Sequence, residues 1–271
     1  MPNLIPNLRK VGAEWVNNYS YPFTPRRSSL TYCSQNANEF FNILTLTQGA
    51  TPPSFIYGDG NAWDRDFEQA FDLLDSAAPP AFLSGDDDLY AEKVDILFFS
   101  GHGNQDGLLF GVPNKDNGEA KYDEIQLGQG GKLKWFAIDA CKVLEESASG
   151  ASAFRWGRIF KGLRQLLSFH KDCRDVPNRG KIFAQYLKGV HPNQIQFGTT
   201  LVGETISRSW ELACIETSTT SELAWAHLRR GNANSIIKND RWTDDSVLED
   251  TASLPTDFTY ARHIPPANSS N

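Results

Sequence analysis

The chain has 271 residues, of which 40% are hydrophobic and 22% are charged, and its formal net charge at pH 7 is -7. Its length favours one decorated α/β domain over two large domains. The basic residues are scattered and the chain is acidic overall, whereas a nucleic-acid-binding protein usually carries a basic face. We therefore expect a folded protein with no nucleic-acid partner.

The cysteines and the apolar segments bear on the cellular compartment. The four cysteines show neither CxxC spacing nor a paired pattern, and a core of this size needs no disulfides. Residues 1–9 contain no long apolar stretch, so no signal peptide is predicted. No run approaches the roughly 18 apolar residues of a membrane helix. We expect a cytoplasmic protein with no membrane association, and the sequence leaves its oligomeric state open.

Short apolar runs and helical patterns alternate in the first part of the chain. A strand is predicted at residues 14–16 and a helix at residues 36–47. The apolar run at residues 54–57 precedes Gly58-Asp59-Gly60-Asn61, a strong turn signal. The spacing of the next large apolar side chains follows one face of a helix, which predicts a helix over residues 62–74. These side chains are Trp63, Phe67, Phe71 and Leu74.

Two nearly continuous apolar runs, residues 94–99 and residues 134–138, are the most informative segments. Strands that are covered on both faces lose the polar alternation, so both runs are predicted as central strands. Ser100-Gly101-His102-Gly103 follows the first run, and Asp139-Ala140-Cys141 ends the second. Residues 104–129 are rich in Gly, Asn and Asp, and we predict a loop or hairpin there.

The second half predicts further helices and one more strand. We expect a helix within residues 142–161, a strand at 163–169, and helices at 180–187, 206–215 and 221–228. Strands that alternate with helices predict an α/β fold with a mostly parallel sheet flanked by helices. We expect one domain over residues 1–248 and an irregular tail over residues 249–271, where Pro, Ser, Thr and Asn are frequent.

Two reactive side chains follow the two central strands directly. Ligands of open α/β sheets bind outside the carboxyl ends of the strands, which is where His102 and Cys141 are expected. If the strands are neighbours, the imidazole lies beside the thiol and can lower its pKa, as a thiolate nucleophile requires. We predict a Cys–His dyad. The alternative is a structural cysteine and an unrelated histidine, because free cysteine is often a small core residue.

The remaining histidines give no sign of a metal site. None has zinc-ligand spacing to Cys173 or Cys214, so we expect no metal and no cofactor. These histidines are His170, His191, His227 and His263.

The two strand-end motifs resemble those of the caspase-like cysteine peptidases, a superfamily that includes caspases, metacaspases, legumains and gingipains. His102 precedes Cys141 by 39 residues, an order and spacing similar to that superfamily. Gly60-Asn61-Ala62-Trp63, ahead of the SGHG strand, is similar to an element of an uncharacterised microbial branch. The resemblance is strong over residues 55–170 and weaker to about residue 210. It implies a caspase-like fold and a cysteine endopeptidase that acts on a peptide or protein substrate.

The resemblance also implies roles for individual residues. His102 would be the general base and acid, and Cys141 the nucleophile that forms an acyl-enzyme. The backbone N–H groups of Gly103 and Cys141 would form the oxyanion hole. Asp139 matches the metacaspase Asp that lines the S1 pocket and pairs with a substrate Arg or Lys. Asp59 is a candidate for a second acidic wall, although no motif supports it.

The residues after the nucleophile depart from the family pattern. Many relatives continue with a small turn such as His-Ser-Gly, whereas this chain has Lys142-Val143-Leu144 at the position that shapes the pocket beside Asp139. Two other functions fit the same fold. One is a dyad-dependent acyl transferase or cyclase of a biosynthetic pathway, and the other is a non-catalytic caspase-like binding module. The intact dyad argues against the binding module.

Overall fold

The computed structural model describes residues 9–19, 27–46, 54–69, 85–111, 118–129, 132–146, 152–194, 203–219, 223–231, 236–243 and 257–263. These residues contain ten strands and four α-helices. In chain order the elements are β1 (Val11–Trp15), α1 (Cys33–Thr45), β2 (Phe55–Gly58), β3 (Ile96–Ser100), β4 (His102–Gly103), β5 (Gly107–Leu109), β6 (Glu119–Lys121), β7 (Trp135–Asp139), α2 (Ser152–Trp156), β8 (Gln165–Phe169), α3 (Arg179–Lys188), α4 (Ile206–Thr217), β9 (Trp225–Arg230) and β10 (Phe258–Arg262).

Seven strands form the main sheet, in the order β10-β9-β8-β7-β3-β1-β2. Five neighbouring strands of this sheet are parallel to one another, namely β2, β1, β3, β7 and β8. Strands β9 and β10 extend the β8 edge in antiparallel orientation. The predicted α/β class with a mostly parallel sheet is therefore confirmed. A smaller antiparallel sheet of order β4-β5-β6 occupies the region that was predicted as a loop or hairpin.

The central strands are buried on both faces, which explains their continuous apolar sequences. In β3, Leu97 and Phe99 point to one face of the sheet and Ile96 and Phe98 point to the other. Helices α1, α3 and α4 cover the face of Ile96 and Phe98. Helix α2 and the smaller sheet cover the opposite face, so helices flank the main sheet on both sides.

Two predicted helices are wrong in the described residues. Residues 62–69 contain only a short 3₁₀ turn, Asp64–Asp66, and residues 70–74 lie outside the described ranges. The Asp64 carboxylate accepts the N–H groups of Arg65 and Gly118, which favours a turn over a helix. Residues 225–228 of the helix predicted at 221–228 belong instead to strand β9, because a short apolar run has no decisive period and pairing with β8 and β10 decides the outcome. Residues 221–222 lie outside the described ranges.

The prediction of an irregular tail is wrong for Phe258–Arg262. These residues form β10, which pairs with β9 at the edge of the main sheet. The aromatic and β-branched side chains of Phe258, Thr259 and Tyr260 favour a strand, and the surrounding Pro- and Ser-rich sequence masked this signal. Residues 249–256 and 264–271 lie outside the described ranges.

The length and composition of the described helices bear on membrane insertion. None of them is both long enough and apolar enough to cross a bilayer.

Candidate active site

The two central strands bring His102 and Cys141 to the same end of the sheet. Strands β3 and β7 are parallel neighbours, and Ser100 pairs with Asp139 at their carboxyl ends. His102 and Cys141 each follow two residues later, so the prediction that they follow adjacent parallel strands is confirmed. The close approach of the imidazole to the thiol stays a prediction. Both side chains line one small pocket with a cavity volume of about 60 Å³. Its other lining residues are Leu30, Cys33, Ser100, Gly101, Asp139, Cys173, Arg174 and Asp175.

The imidazole of His102 is held by a backbone carbonyl and by a buried tyrosine. Its Nε2 lies 2.8 Å from the carbonyl oxygen of Ser28, which can only accept a hydrogen bond. The proton therefore sits on Nε2, and Nδ1 is the nitrogen that can take up another proton. The ring also packs against Tyr19, with 4.6 Å between the ring centroids. Burial lowers the pKa of His102, opposed by the hydrogen bond to Ser28, so the neutral ring is favoured near pH 7.

Tyr19 fixes the backbone at the histidine as well as the ring. Its hydroxyl accepts the N–H of His102 at 2.7 Å and donates to the carbonyl of Leu109 at 3.0 Å. Tyr19 thus ties β4 to the segment that follows β1. The role of Tyr19 could not be predicted from the sequence, because it depends on a contact between segments that are 83 positions apart.

Asp59 supports this arrangement from outside the pocket. Its carboxylate accepts the backbone N–H groups of Asn17 and Asn18 at 2.7 and 2.8 Å, which anchors the residues just before Tyr19. Asp59 is not among the residues that line the pocket. Asp59 supports the loop in this geometry, and its role as a second acidic wall of the substrate site stays a prediction.

The nucleophile candidate has an unexpected partner in a second cysteine. The Sγ atoms of Cys141 and Cys173 are 3.1 Å apart, and the backbone N–H of Cys173 donates to Sγ of Cys141 at 3.1 Å. Both hydrogen bonds lower the pKa of Cys141, and burial opposes them. The pKa of Cys173 is raised well above its usual value by its hydrogen bond with the Cys141 side chain and by desolvation. The backbone N–H of Cys173 favours the thiolate form of Cys141, whereas a protonated Cys141 donates to the carbonyl oxygen of Cys173 at 3.1 Å.

The other two cysteines lie in environments that suppress the thiolate. Cys33 and Cys214 are 2% and 0% exposed, and burial raises the pKa of both thiols. Cys33 lines the pocket, whereas Cys214 lies in the core under α4. Among the four cysteines, only Cys141 has a lowered pKa.

Gly103 lies against the turn that carries Cys141. A Cβ atom at Gly103 would lie 2.9 Å from the side chains of both Ala140 and Val143 and 3.3 Å from the carbonyl oxygen of Cys141. Only glycine therefore allows this close approach. Lys142, directly after Cys141, has a left-handed backbone with φ of 62°, which turns the chain sharply at Cys141.

The Asp139 carboxylate lines the pocket, but residues of the chain itself already engage it. It forms an ion pair with Arg179, whose side chain is 1% exposed, and it accepts hydrogen bonds from Ser100 and Asn36 at 3.2 and 3.3 Å. Burial raises the pKa of Asp139, and the Arg179 guanidinium opposes that shift. A substrate guanidinium would have to compete with Arg179 for this carboxylate. The role of Asp139 in substrate binding stays a prediction.

Asp175 is a second acidic residue of the pocket, which the sequence analysis did not single out. Its carboxylate accepts the backbone N–H groups of Thr31 and Tyr32 at the start of α1. It is half-buried, in contrast to the buried Asp139. Its position after β8 follows the same strand-end rule that identified His102 and Cys141, so the rule could have found it.

The last described strand, β10, anchors the segment that follows Cys141. The hydroxyl of Tyr260 in β10 donates to the carbonyl of Leu144 at 2.9 Å, and Arg262 forms an ion pair with Glu146 at 2.9 Å. The turn after Cys141 is thus held from the opposite end of the chain.

The arrangement of the acidic, histidine and cysteine side chains bears on metal binding. In the described ranges no three or more His, Cys, Asp or Glu side chains are arranged to hold a metal ion.

Comparison with known proteins places the chain in a family without assigning it a function. A search of curated proteins finds no match. A family model described as "Domain of unknown function (DUF6345)" matches residues 13–263, which is most of the chain. The chain therefore belongs to the DUF6345 family.

Proposed function

We propose that the protein is a cysteine endopeptidase that uses Cys141 and His102 through an acyl-enzyme. The observation that carries the proposal is the placement of both side chains after adjacent parallel strands, on one pocket, with Nδ1 as the free basic nitrogen of His102. A thiolate beside a base is the arrangement that nucleophilic catalysis requires. The resemblance of the two motifs to the caspase-like peptidases supports the same assignment.

The proposed reaction follows from the residues in the pocket. The Cys141 thiolate attacks the carbonyl carbon of the scissile bond, and the backbone N–H groups of Gly103 and Cys141 stabilise the oxyanion. Nδ1 of His102 takes the proton of the Cys141 thiol when the thiolate forms, and it delivers that proton to the leaving amine. The hydrogen bond from Nε2 to Ser28 keeps the ring oriented throughout. Water then hydrolyses the thioester, and the freed thiolate returns to its hydrogen bonds with Cys173.

We further propose cleavage after Arg or Lys, with the negative charge supplied mainly by Asp175. Asp139 is neutralised by Arg179, whereas Asp175 keeps a half-buried carboxylate on the pocket wall. The neighbouring Arg174 also lines the pocket and would favour an acidic P1 side chain instead. A panel of substrates with different P1 residues decides between these two side chains.

The test combines a thiol-directed peptidyl probe with turnover of a fluorogenic peptide library. We expect the probe to label Cys141 in the wild type, and we expect Cys141→Ala and His102→Ala to abolish turnover. Cys214→Ala is the matched control, because Cys214 is a buried thiol outside the pocket. Products joined to an added amine, instead of free acids, would identify a transferase or cyclase. Binding of a peptide without any hydrolysis or transfer would favour the third alternative, a non-catalytic binding module.

A further inference from the structure

We propose that Cys141 and Cys173 are a site of reversible oxidation, at which a peroxide converts the two thiols into a disulfide. The bond itself requires only the described geometry. Its consequence for catalysis rests on the proposed function, since the oxidised Cys141 would have no thiolate with which to attack a substrate.

The fold brings these two thiols together from neighbouring strands. Cys141 follows β7 and Cys173 follows β8, and the two strands are parallel partners in the sheet. Their loops are joined beside the sulfurs, where the N–H of Lys142 donates to the carbonyl of Lys171 at 3.0 Å and Lys142 pairs with Asp172 at 3.0 Å. The contact between the thiols is therefore part of a fixed turn-to-turn packing.

The two sulfurs need to move only a short distance to form a disulfide bond. The Sγ atoms are 3.1 Å apart, and a disulfide requires about 2.05 Å. Both side chains are half-buried and both line the open pocket, so a small peroxide can reach them. Cys33 also lines the pocket, but its thiol lies 4.0 Å from the Asp175 carboxylate, which disfavours its thiolate.

The electrostatics divide the pair into an attacking thiol and a resolving thiol. The sulfur of Cys141 accepts the backbone N–H of Cys173 at 3.1 Å, which favours the thiolate at Cys141, and the Cys173 thiol lies beside it at 3.1 Å. Such low-pKa, accessible thiolates beside a second thiol are the ones that peroxides oxidise to a reversible product. The pKa shifts of opposite sign in the two thiols agree with this division.

The two steps balance in atoms and electrons. The Cys141 thiolate attacks one oxygen of the peroxide ROOH, the O–O bond breaks, and sulfur is oxidised to the sulfenic acid while RO⁻ takes a proton and leaves as ROH. The Cys173 sulfur then attacks the Cys141 sulfur, the S–O bond breaks, and the departing hydroxide takes the Cys173 proton to leave as water. Two thiols and one peroxide thus give one disulfide, one ROH and one water. A dithiol reductant reverses the outcome.

The experiment is peptide mapping of the whole chain after hydrogen peroxide treatment, with free thiols blocked by N-ethylmaleimide before digestion. Trypsin should release Cys141 in residues 135–142 and Cys173 in residues 172–174, so their disulfide has one diagnostic mass. We expect that linked peptide to appear with peroxide and to disappear with dithiothreitol. In Cys173→Ala, and also in Cys173→Ser, dimedone should trap a sulfenic acid on Cys141.

Cys33→Ala is the matched control, because it removes the other thiol of the pocket and should leave the linked peptide unchanged. Oxidised protein without that peptide, or with Cys141 linked to Cys33, would overturn the proposal. The mapping needs no substrate, so its result is independent of the peptidase. A linked peptide in a chain that cleaves nothing would refute only the proposed function, and cleavage without a linked peptide would refute only the oxidation site.

Discussion

Replacement of Arg179 by methionine tests whether Asp139 belongs to the interior or to the substrate site. In the wild type the two side chains are 1% and 6% exposed and form an ion pair. The guanidinium also lies 4.8 Å above the ring of Phe169 and donates to Thr217 at 3.1 Å. Methionine keeps much of the apolar packing but removes the charge, so the Asp139 carboxylate is left buried without its counter-ion.

The expected cost follows from the burial of the pair. Removal of one partner of a buried ion pair typically costs about 3–5 kcal/mol, because the other charge remains desolvated. Ser100 and Asn36 still donate to Asp139, although at 3.2 and 3.3 Å, so we expect the lower end of that range. At roughly 2–4 °C per kcal/mol for a chain of this size, the melting temperature should fall by about 6–12 °C.

The loss of stability should also depend on pH. Burial raises the pKa of Asp139, and in the Arg179→Met variant no guanidinium opposes that shift. The folded pKa then lies above the unfolded value of about 3.9, so the folded state binds the extra proton between the two values. Stability consequently falls as pH rises through that interval. The deficit relative to wild type should be larger at pH 7 than at pH 5.

The assay is urea unfolding of the wild type, Arg179→Met, Asp139→Asn and the double variant at both pH values. The double variant should recover about 2 kcal/mol relative to additivity, because neither charge is then left alone. Arg208→Met is the matched control, since its ion pair with Glu211 is partly exposed and should be worth less than about 1 kcal/mol. The idea that Asp139 serves a buried ion pair would be refuted if Arg179→Met lowered the free energy of unfolding by less than about 1 kcal/mol. A loss of stability that does not change with pH would refute it as well.

Three further predictions concern the pocket. Iodoacetamide should alkylate Cys141 faster than the other thiols, because the pKa of Cys141 is the one that is lowered, and His102→Ala should slow the reaction. Equal alkylation rates for all thiols would contradict the dyad. Gly103→Ala should destabilise the fold by about 1–3 kcal/mol, because the added methyl group overpacks the turn that carries Cys141. Urea unfolding measures this change, and an unchanged midpoint would show that the turn can move to accept the methyl group. For substrates with Arg or Lys at P1, Asp175→Asn should reduce kcat/KM by a factor about ten times larger than Asp139→Asn does. If the wild type prefers an acidic P1 residue, Arg174 and not Asp175 would determine the specificity.

The sequence predicted the elements whose signal lies in local pattern. The apolar runs before SGHG and DAC identified two buried parallel strands, and the strand-end rule placed His102 and Cys141 together. Helices α1, α3 and α4 also agree with their apolar spacing, although each begins or ends a few residues from the prediction.

The parts that the sequence did not predict depend on tertiary contacts. Ser28 contributes a backbone carbonyl to His102, so the identity of its side chain carries no signal. Arg179 reaches Asp139 across 40 positions, and Cys173 reaches Cys141 across 32, which no local period can reveal. The missed strands β9 and β10 have the same cause, because their pairing with each other and with β8 determines their conformation.

The hydrogen bond from Tyr260 in β10 to Leu144 can form only late in the synthesis of the chain. Tyr260 and its acceptor at Leu144 are 116 positions apart, so a ribosome must synthesise nearly the whole chain before that contact can form. A nascent chain that ends before β10 contains both His102 and Cys141 but lacks two anchors of the turn between β7 and α2. Any truncation that keeps only the residues around the two motifs would retain the reactive groups and lose part of the frame that positions them.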